Sequence, residues 1–387
     1  MALHVIALPW TDLTKEWEAE AFTARTRIMV SMLARYGKVY VYGSEVHETT
    51  GTEHVPVIDK TWQDRHWPGY RTSDVFSDYD PRRPAWVEFN VRCAQAIRER
   101  HQPGDILGIT MGFSNGLAME LLSDLGMPYV ELGIGYKGVL EDSHKVFESY
   151  AWRMWHHGFR VGLNEARGDP AADRYSDVRN FDTVIPRPYN LDDFPEGSGS
   201  GGYFVFLGRL TSRKGVLIAS QVCQRLGAKL ILAGQNVVSA QHGKVTTADG
   251  LTLEGDVEWI GVIGPEERAK LLGDAMATFT PTLYAEPFGG THAESLLVGT
   301  PVITTDHGCF IDYIADDVNG WRCSTLAEFV DAAKQAPFLD RFTIRDMAIR
   351  RYGTDTVGPQ YDRFLRRIAS LRREGWYELP LQPVLAH

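Results

Sequence analysis

The stretch TLYAEPFGGTHAESLLVGTPVITTD, residues 282–306, decides the fold prediction. It places Glu286 before a proline, then two glycines, then Glu294 eight positions after the first glutamate. A proline holds the residue before it in an extended conformation, and glycine lets the backbone come close to a ligand. The apolar runs LLVG and PVITT follow. We therefore predict a loop, a helix beginning at Thr291 and a buried strand, with both carboxylates near the start of the helix.

Strand-like and helix-like patterns occur in turn on both sides of this stretch. In the first half, the strand candidates LHVIALP, KVYVYGSE, DILGITMGF and PYVELGIGY are separated by helical patterns such as AFTARTRIMVSMLARYG. In the second half, YFVFLG, AKLILAG, VEWIG and ATFTPT combine with the helical patterns KGVLIASQVCQRLG and PEERAKLLGDA. This order predicts parallel sheets with helices on both faces. The segment GSGSGG, residues 197–202, has the composition of a flexible linker, so we predict two doubly wound domains facing a cleft.

The composition excludes several function classes. The 387 residues carry a formal net charge of −10, which argues against a broad basic face for non-specific nucleic-acid binding. The four cysteines are scattered without a C-x-x-C pair, as expected for reduced thiols rather than for disulfides or a zinc site. The start MALHVIALPW lacks the features of a signal peptide, and no window approaches about 18 consecutive apolar residues. We therefore expect a cytoplasmic protein without a transmembrane segment.

The motif GFSNG, residues 112–116, offers one alternative function. It matches the G-x-S-x-G nucleophile elbow and lies between a predicted strand and a predicted helix, which is the context that a serine hydrolase requires. Ser114 would be the nucleophile, with Asp306 and His307 as candidate partners. No oxyanion-loop motif precedes it, and a glycine-bounded turn at the ligand edge of a sheet explains the same residues. The run GIGYKG, residues 133–138, matches a dinucleotide fingerprint only formally, because charged residues interrupt the helix that should follow.

Two cations follow the strand pattern YFVFLG. Arg209 and Lys214 lie where a helix should begin, with Thr211 and Ser212 available as caps. Cations at a helix N-terminus form a receptor for a diphosphate, because the helix dipole and the free N–H groups add to their charge. Solvated surface cations are the alternative interpretation.

The two glutamates differ in what the sequence offers as an explanation. Thr291 and Glu294 have the spacing of a capping box, so Glu294 has a structural alternative. Glu286 lies beside a predicted buried strand, where a carboxylate without a partner destabilises the fold. We therefore predict that hydroxyl groups of a sugar supply that partner.

At these residues the sequence resembles the retaining glycosyltransferases of the GT-B fold, specifically family 4. The motifs FLGRLTSRKG, EPFGGTHAE and LLVGTPVITTDHG carry the resemblance, together with FDTVIPRPYNLDDF. It implies two Rossmann-like domains: an acceptor domain over residues 1–190 and a donor domain over 202–354. It also implies that a C-terminal helix, about 355–387, packs back on the first domain.

The resemblance implies a reaction as well. A sugar, of hexose type, would move with retention from a nucleoside-diphosphate sugar, with UDP favoured, to a hydroxyl acceptor. The nucleotide sugar is a co-substrate, and neither a cofactor nor a metal ion is implied. A nucleotide-sugar-binding protein without turnover is an alternative from a different class.

Site residues carry over by position. Arg209 and Lys214 would hold the diphosphate and neutralise the leaving group, and Glu286 would bind hydroxyls of the donor sugar. The other implied donor-binding residues are Phe288, Gly289, Gly290 and Thr291 through their backbones, Glu294 at the ribose, and Ile263 through its backbone at the base. Many relatives carry a histidine near the position of Ile134, and His144 in the following loop is the candidate catalytic substitute.

The acceptor site is expected in the first half, which is rich in aromatic residues. The acceptor-side candidates are Trp10, Thr11, Ser114 and Tyr136. The opening ALPWTDLTKEWEAEAFTARTR also resembles bacteriophage glycosyltransferases that modify hydroxymethylated DNA bases. A DNA base is therefore one possible acceptor, beside a saccharide, a lipid carrier or a small metabolite.

Overall fold

Two parallel sheets organise the chain into two units. The computed structural model describes residues 1–18, 20–71, 74, 76–166, 181–241 and 243–371. The first unit takes in Met1–Glu148, Arg160–Pro188 and the chain from Thr354 onward. The second unit takes in Ser149–Phe159 and Tyr189–Gly353. The residues Ser149–Phe159 therefore belong to the second unit, although they precede residue 190, the predicted end of the first domain.

The first unit contains a doubly wound parallel sheet. Its strands, among the described residues, are β1 (Ala2–Ile6), β2 (Lys38–Ser44), β3 (Glu53–Ile58), β4 (Ile106–Ile109), β5 (Tyr129–Ile134), β6 (His144–Phe147) and β7 (Thr183–Val184). They lie in the order β3-β2-β1-β4-β5-β6-β7, and every neighbouring pair is parallel. The helices here are α1 (Ala21–Leu33), α2 (Lys60–His66), α3 (Pro84–Arg98), α4 (Gly116–Leu121) and α5 (Tyr150–Ala166), the last of which spans both units.

Alternate residues of β1 show why this sheet is covered on both faces. Leu3 and Val5 pack with α1, whereas Ile6 and Leu8 on the other face pack with α3. Continuous apolar strands of this kind are typical of parallel sheets with helices on both sides. The α/β prediction for this half of the chain is therefore confirmed.

The second unit repeats the doubly wound pattern. Its strands are β8 (Tyr203–Leu207), β9 (Lys229–Ala233), β10 (Val237–Gln241), β11 (Lys244–Thr247), β12 (Thr252–Glu254), β13 (Val257–Trp259), β14 (Ala277–Thr280), β15 (Val302–Thr305) and β16 (Gly320–Cys323). Its helices are α6 (Val216–Leu226), α7 (Pro265–Asp274), α8 (Gly290–Leu297), α9 (Phe310–Tyr313), α10 (Leu326–Gln335) and α11 (Arg341–Tyr352). The parallel sheet has the order β13-β9-β8-β14-β15-β16, which is the strand order of Rossmann folds.

Three features were missed by the sequence patterns. The strand β3 contains Pro56 and lies at the sheet edge, where a proline is tolerated but weakens the strand pattern. The strand β6, HKVF, is short and carries two polar residues. Between β9 and β13, strands β10, β11 and β12 form a separate antiparallel sheet of mostly polar sequence.

The linker prediction for residues 197–202 is wrong. Alternate N–H groups of the segment donate to carbonyls of the second unit at 2.9 Å, in the pairs Gly197 to Val298, Gly199 to Gly273 and Gly201 to Asp274. A Cβ atom at Gly197 would lie 2.2 Å from the Cα of Gly273. The glycines therefore serve close backbone approach, and the segment is part of the second unit.

The helix α12 (Thr354–Leu371) returns to the first unit. Its apolar residues, such as Tyr361 and Ile368, join the core that contains β1 and α1. Arg35 and Asp355 form an exposed ion pair at 2.7 Å. The rest of the predicted C-terminal helix, residues 372–387, lies outside the described residues. In the described part of the chain, no helix is long and apolar enough to cross a membrane.

Candidate active site in the second unit

A small cavity marks the carboxyl edge of the second sheet. The ends of β8 and β14 and the start of α8 enclose a volume of about 50 Å³. Its lining includes Lys214, Thr280, Thr282, Glu286, Gly289 and Thr291. Ligands of doubly wound sheets bind at this edge, outside the carboxyl ends of the strands. Three of the predicted donor-site regions therefore meet here: the lysine, the first glutamate and the glycine turn.

The glycine turn is held by a histidine that the sequence analysis did not single out. Gly289 has a φ of 69°, and it is the residue that precedes α8. His292 is fully buried, with Nδ1 2.7 Å from the Gly289 carbonyl and Nε2 3.1 Å from the Tyr352 hydroxyl. Because a carbonyl only accepts, Nδ1 carries the proton and Nε2 accepts from the tyrosine. A histidine within an apolar helix gives no sequence signal for this role.

Glu286 is held by three donors from the protein itself. The Nζ of Lys214 lies 2.5 Å from Glu286 Oε2, the Tyr284 hydroxyl donates to the same oxygen at 2.8 Å, and Thr282 Oγ1 lies at 3.4 Å. Contrary to the prediction, this buried carboxylate therefore has its partners within the protein and needs no sugar to satisfy it. Its other oxygen, Oε1, makes no hydrogen bond with any described residue.

The ion pair fixes the charge of Lys214. Burial lowers the pKa of Lys214, but the Glu286 carboxylate, with a smaller contribution from Tyr284, outweighs this effect, and the pKa is raised above its ordinary value. Lys214 therefore carries its positive charge at neutral pH. Burial, followed by the Glu286 charge, raises the pKa of Tyr284 to about 12, so its hydroxyl remains a donor.

The loop that carries the cations does not lead directly into a helix at Lys214. Ser212–Lys214 form a 3-10 turn, which Thr211 caps by accepting from the Lys214 N–H at 3.4 Å. Gly215 follows with a φ of 74°, and α6 begins after it. A Cβ at Gly215 would lie 1.9 Å from the Pro281 carbonyl oxygen, so only glycine fits between the loop and β14.

The predicted and unpredicted arginines of this loop differ in their surroundings. Arg209 is exposed and makes no hydrogen bond or ion pair with the residues that the structure describes. Arg213, which the sequence analysis left out, lies over the Tyr284 ring at 5.0 Å. Arg209 thus adds a free positive charge close to the Lys214 turn.

Asp249 holds the 3-10 turn Ser212–Lys214 through a contact from a neighbouring loop. It lies in the loop between β11 and β12, and its Oδ2 accepts from both the N–H and the hydroxyl of Ser212 at 2.8 Å. Ser212 is therefore bound to this carboxylate, and the prediction that it caps a helix is wrong. The backbone hydrogen bond from Ser212, with help from Thr247, lowers the pKa of Asp249 to about 2. This contact was not predicted, because the sequence patterns missed the small sheet that supplies Asp249.

The predicted capping box does not form. The residue before α8 is Gly289, so Thr291 is the second residue of the helix and its hydroxyl donates to the Leu207 carbonyl at 3.2 Å. Glu294 instead pairs with Arg268 of α7, with 3.2 Å between Nε and Oε2. The structural explanation of Glu294 as a cap is therefore removed. Its side chain is 12% exposed, so the pair is largely shielded from water.

The remaining donor-site candidates lie around the start of α8 and in the loop before α7. The Phe288 side chain is buried in the core of the second unit, and its carbonyl accepts from the Cys309 thiol at 2.9 Å. Gly290 is the first residue of α8, and its carbonyl accepts from Tyr189 at 3.3 Å. Ile263 lies half-buried in the loop between β13 and α7.

The nucleophile-elbow prediction for Ser114 is wrong. Ser114 lies in a 3-10 turn after β4, is only 3% exposed, and donates its hydroxyl to the Tyr79 carbonyl at 2.9 Å. An elbow nucleophile must present its hydroxyl at the surface of a strained turn. Here the left-handed φ belongs to Gly112, at 48°, and the serine hydroxyl serves a loop contact.

The other acceptor-side candidates also follow the carboxyl ends of strands in the first unit. Each of them contacts another side chain of that unit. Trp10 is buried and stacks on Phe76 with 3.8 Å between ring centroids. The Thr11 hydroxyl shares a 2.6 Å hydrogen bond with Thr23. The Tyr136 hydroxyl donates to the buried Glu131 carboxylate at 2.8 Å. These contacts explain each residue without an acceptor.

His144 is not in a loop. It is the first residue of β6 and pairs in register with Val130 of β5. It therefore lies at the amino end of its strand, at the edge of the sheet opposite to the carboxyl ends where ligands bind. The prediction of a catalytic His144 is wrong for this reason. Ile134, the position that lacks the histidine, is fully buried at the end of β5.

Comparisons with known proteins identify similar sequences for part of the chain. Residues 192–336 match the family model described as glycosyl transferases group 1. An uncharacterized glycosyltransferase of Methanocaldococcus jannaschii is 31% identical over 120 residues, which cover 30% of this chain and 30% of that protein. The match thus spans less than a third of the length of that relative.

Solved structures resemble the whole chain. AviGT4, a glycosyltransferase involved in avilamycin A biosynthesis, has a TM-score of 0.62 at 18% identity, covering 96% of this chain and 98% of its own. Sucrose-phosphate synthase of Thermosynechococcus elongatus has a TM-score of 0.62 at 15% identity, covering 95% and 99%. HepE of Anabaena, in complex with UDP and glucose, has a TM-score of 0.60 at 12% identity, covering 94% and 99%. The fold is that of GT-B glycosyltransferases, and with the family match it supports a glycosyltransferase.

Proposed function

We propose that this protein is a retaining glycosyltransferase of family 4 type, which moves a hexose from a nucleoside-diphosphate sugar to a hydroxyl acceptor. One observation carries the proposal: Lys214 and Glu286 meet beside the N-terminus of α8, in a cavity at the ligand edge of a Rossmann-like sheet. A uridine nucleotide is favoured because the structurally similar HepE has been solved with UDP-glucose.

The diphosphate would lie between the two cations and α8. Lys214 carries a fixed charge, Arg209 a free one, and the first N–H groups of α8 have no partner within the helix. Together they stabilise the negative charge that develops on the leaving nucleoside diphosphate. Removing one such donor typically costs roughly 2.7–4 kcal/mol of transition-state stabilisation. In this proposal the protein cations neutralise the leaving group, and no metal ion is needed.

The sugar would lie against Glu286. Its Oε2 is occupied by the donors of the protein, so Oε1 is the oxygen that accepts from a sugar hydroxyl. The acceptor hydroxyl would then attack the oxocarbenium-like sugar from the face that the diphosphate leaves, which gives retention. The nucleoside end would reach Glu294, held by Arg268 at 3.2 Å, and the backbone near Ile263.

A donor panel tests the proposal. Release of free nucleoside diphosphate is measured for UDP-, ADP-, GDP- and TDP-hexoses, alone and with saccharides, small metabolites, lipid carriers and DNA with hydroxymethylated bases. We expect slow donor hydrolysis alone, acceleration by one acceptor class, and a product with the anomeric configuration of the donor by NMR. A product with the inverted anomeric configuration would contradict retention. Tight binding of a nucleotide sugar without turnover would show that the protein is a nucleotide-sugar-binding protein and not an enzyme.

A further inference from the structure

Thr280, the last residue of β14, is a polar residue of the cavity that has no role in the proposal above. It is 9% exposed and lines the cavity beside Lys214 and Glu286. Its carbonyl accepts from the Thr304 hydroxyl and from the Thr282 N–H, both at 2.8 Å. Its own hydroxyl is buried, and within the described part of the chain no hydrogen-bond partner for it exists.

The neighbouring threonines make Thr280 an exception. Thr278 on the same strand shares a 2.7 Å hydrogen bond with Ser295, and Thr305 donates to the Thr282 carbonyl at 2.7 Å. A buried hydroxyl without a partner destabilises a fold, and native proteins retain few of them. Sites that break such a local rule are expected to be functional. The hydroxyl of Thr280 is thus available to a molecule in the cavity.

The surroundings define the chemistry of that molecule. Lys214 presents a positive charge that Glu286 offsets in part, and Gly289 and Thr291 at the start of α8, the positive end of the helix dipole, line the same cavity. The volume of about 50 Å³ exceeds the roughly 10–15 Å³ that one water molecule needs by this measure, so the cavity has room for a larger polar group. A small anionic group such as a phosphate fits both the size and the charge.

We propose that the Thr280 hydroxyl donates a hydrogen bond to the sugar-linked phosphate of the donor nucleotide. The inference rests on the proposed function, and it adds a binding residue that the motifs did not contain. A hydroxyl that donates to an anionic oxygen makes a charge-assisted bond, which is stronger than a bond between neutral groups. The hydroxyl that lacks a partner in the free protein would gain one in the complex.

The test compares Thr280→Val with Thr278→Val. Valine keeps the shape of threonine and removes the hydroxyl. For Thr280→Val we expect UDP affinity in calorimetry to fall roughly ten- to a hundredfold, as for the loss of one hydrogen bond to a charged group. Affinity for UMP, which lacks the second phosphate, should stay within about twofold of the wild type. The melting temperature without ligand should be unchanged or higher, because an unsatisfied group is removed.

Thr278→Val serves as the matched control. It should lower the melting temperature, because it removes a satisfied buried hydrogen bond, and it should leave UDP affinity unchanged. Thr280→Val with wild-type UDP affinity, or with a melting temperature lowered as in the control, would overturn the inference. A wild-type protein that binds none of UDP, ADP, GDP and TDP would overturn the proposed function, and the inference with it.

Discussion

Replacing Lys214 by methionine tests the ion pair at the centre of the site. The Lys214 side chain is 32% exposed and that of Glu286 is 10% exposed. Removing one partner of a fully buried pair costs about 3–5 kcal/mol, whereas an exposed pair is worth about 0–1 kcal/mol. With one partner a third exposed, we expect Lys214→Met to destabilise the second unit by about 2 kcal/mol. At about 2–4 °C per kcal/mol for a domain of this size, the melting temperature should fall by about 4–8 °C.

The assay is calorimetric unfolding at pH 7 and low salt, with two comparison variants. The double variant Lys214→Met, Glu286→Gln should recover part of the loss, because no unpaired buried charge remains. Arg209→Met, which removes an exposed cation, should change the melting temperature by no more than about 1 °C. If Lys214→Met unfolds like Arg209→Met, the pair is not formed in solution and the reasoning fails.

The same pair predicts a pH window. The pKa of Lys214 is raised in the folded protein above its ordinary value of 10.5. A group with a raised folded pKa contributes its full stability below its unfolded pKa and loses it as pH rises through the folded pKa. The difference in stability between wild type and Lys214→Met should therefore be constant from pH 7 to about 10 and shrink above it. A difference that vanishes already near pH 8 would contradict the charge assignment.

Three further predictions follow from the site and its alternatives. Arg209→Met should weaken UDP binding roughly tenfold or more through loss of a charged contact, whereas Arg225→Met, at an exposed position of α6, should not. Asp249→Asn should weaken UDP binding by a smaller factor, about threefold, because it loosens the turn that carries Lys214, with Asp256→Asn as the exposed control. Ser114→Ala should retain glycosyl transfer, and covalent labelling of Ser114 by a fluorophosphonate with matching loss of activity would support a hydrolase instead.

Periodicity predicted the framework of both sheets because each central strand is a short apolar run. The strand β8 reads YFVFL and β9 reads KLILA, and both are largely buried in the sheet between helices. The sequence patterns predicted the wrong structure where the composition of a segment suggests a role that the segment does not have. Residues 197–202 have linker composition, yet their glycines are needed for backbone contacts that lie about a hundred residues away in sequence, at Val298. No local pattern contains such a contact.

The sequence predicts the site residues that belong to contiguous motifs. The motif residues Lys214 and Glu286 do meet, although 72 positions separate them. The partners that hold them were not predicted, because Tyr284 and Asp249 act through contacts that depend on the tertiary fold. Thr280 was missed for the opposite reason. Its significance lies in a hydrogen bond that is absent among the described residues, and a sequence does not show which threonine remains unsatisfied.

The pairing of Lys214 with Glu286 in the free protein does not compete with a role at the diphosphate. A lysine ammonium has three N–H donors. One of them is directed at Glu286 Oε2 at 2.5 Å and the Tyr284 hydroxyl also interacts with the ammonium, so at least one N–H would serve a phosphate oxygen in the proposed complex. The carboxylate holds the ammonium in place before the donor arrives, so little side-chain freedom is lost on binding. Because Tyr284 donates to the same oxygen at 2.8 Å, Glu286 keeps a partner even when the ammonium shifts toward a phosphate. In the proposed function, the ion pair would therefore prepare the cation for the leaving group, and Oε1 would accept from the sugar.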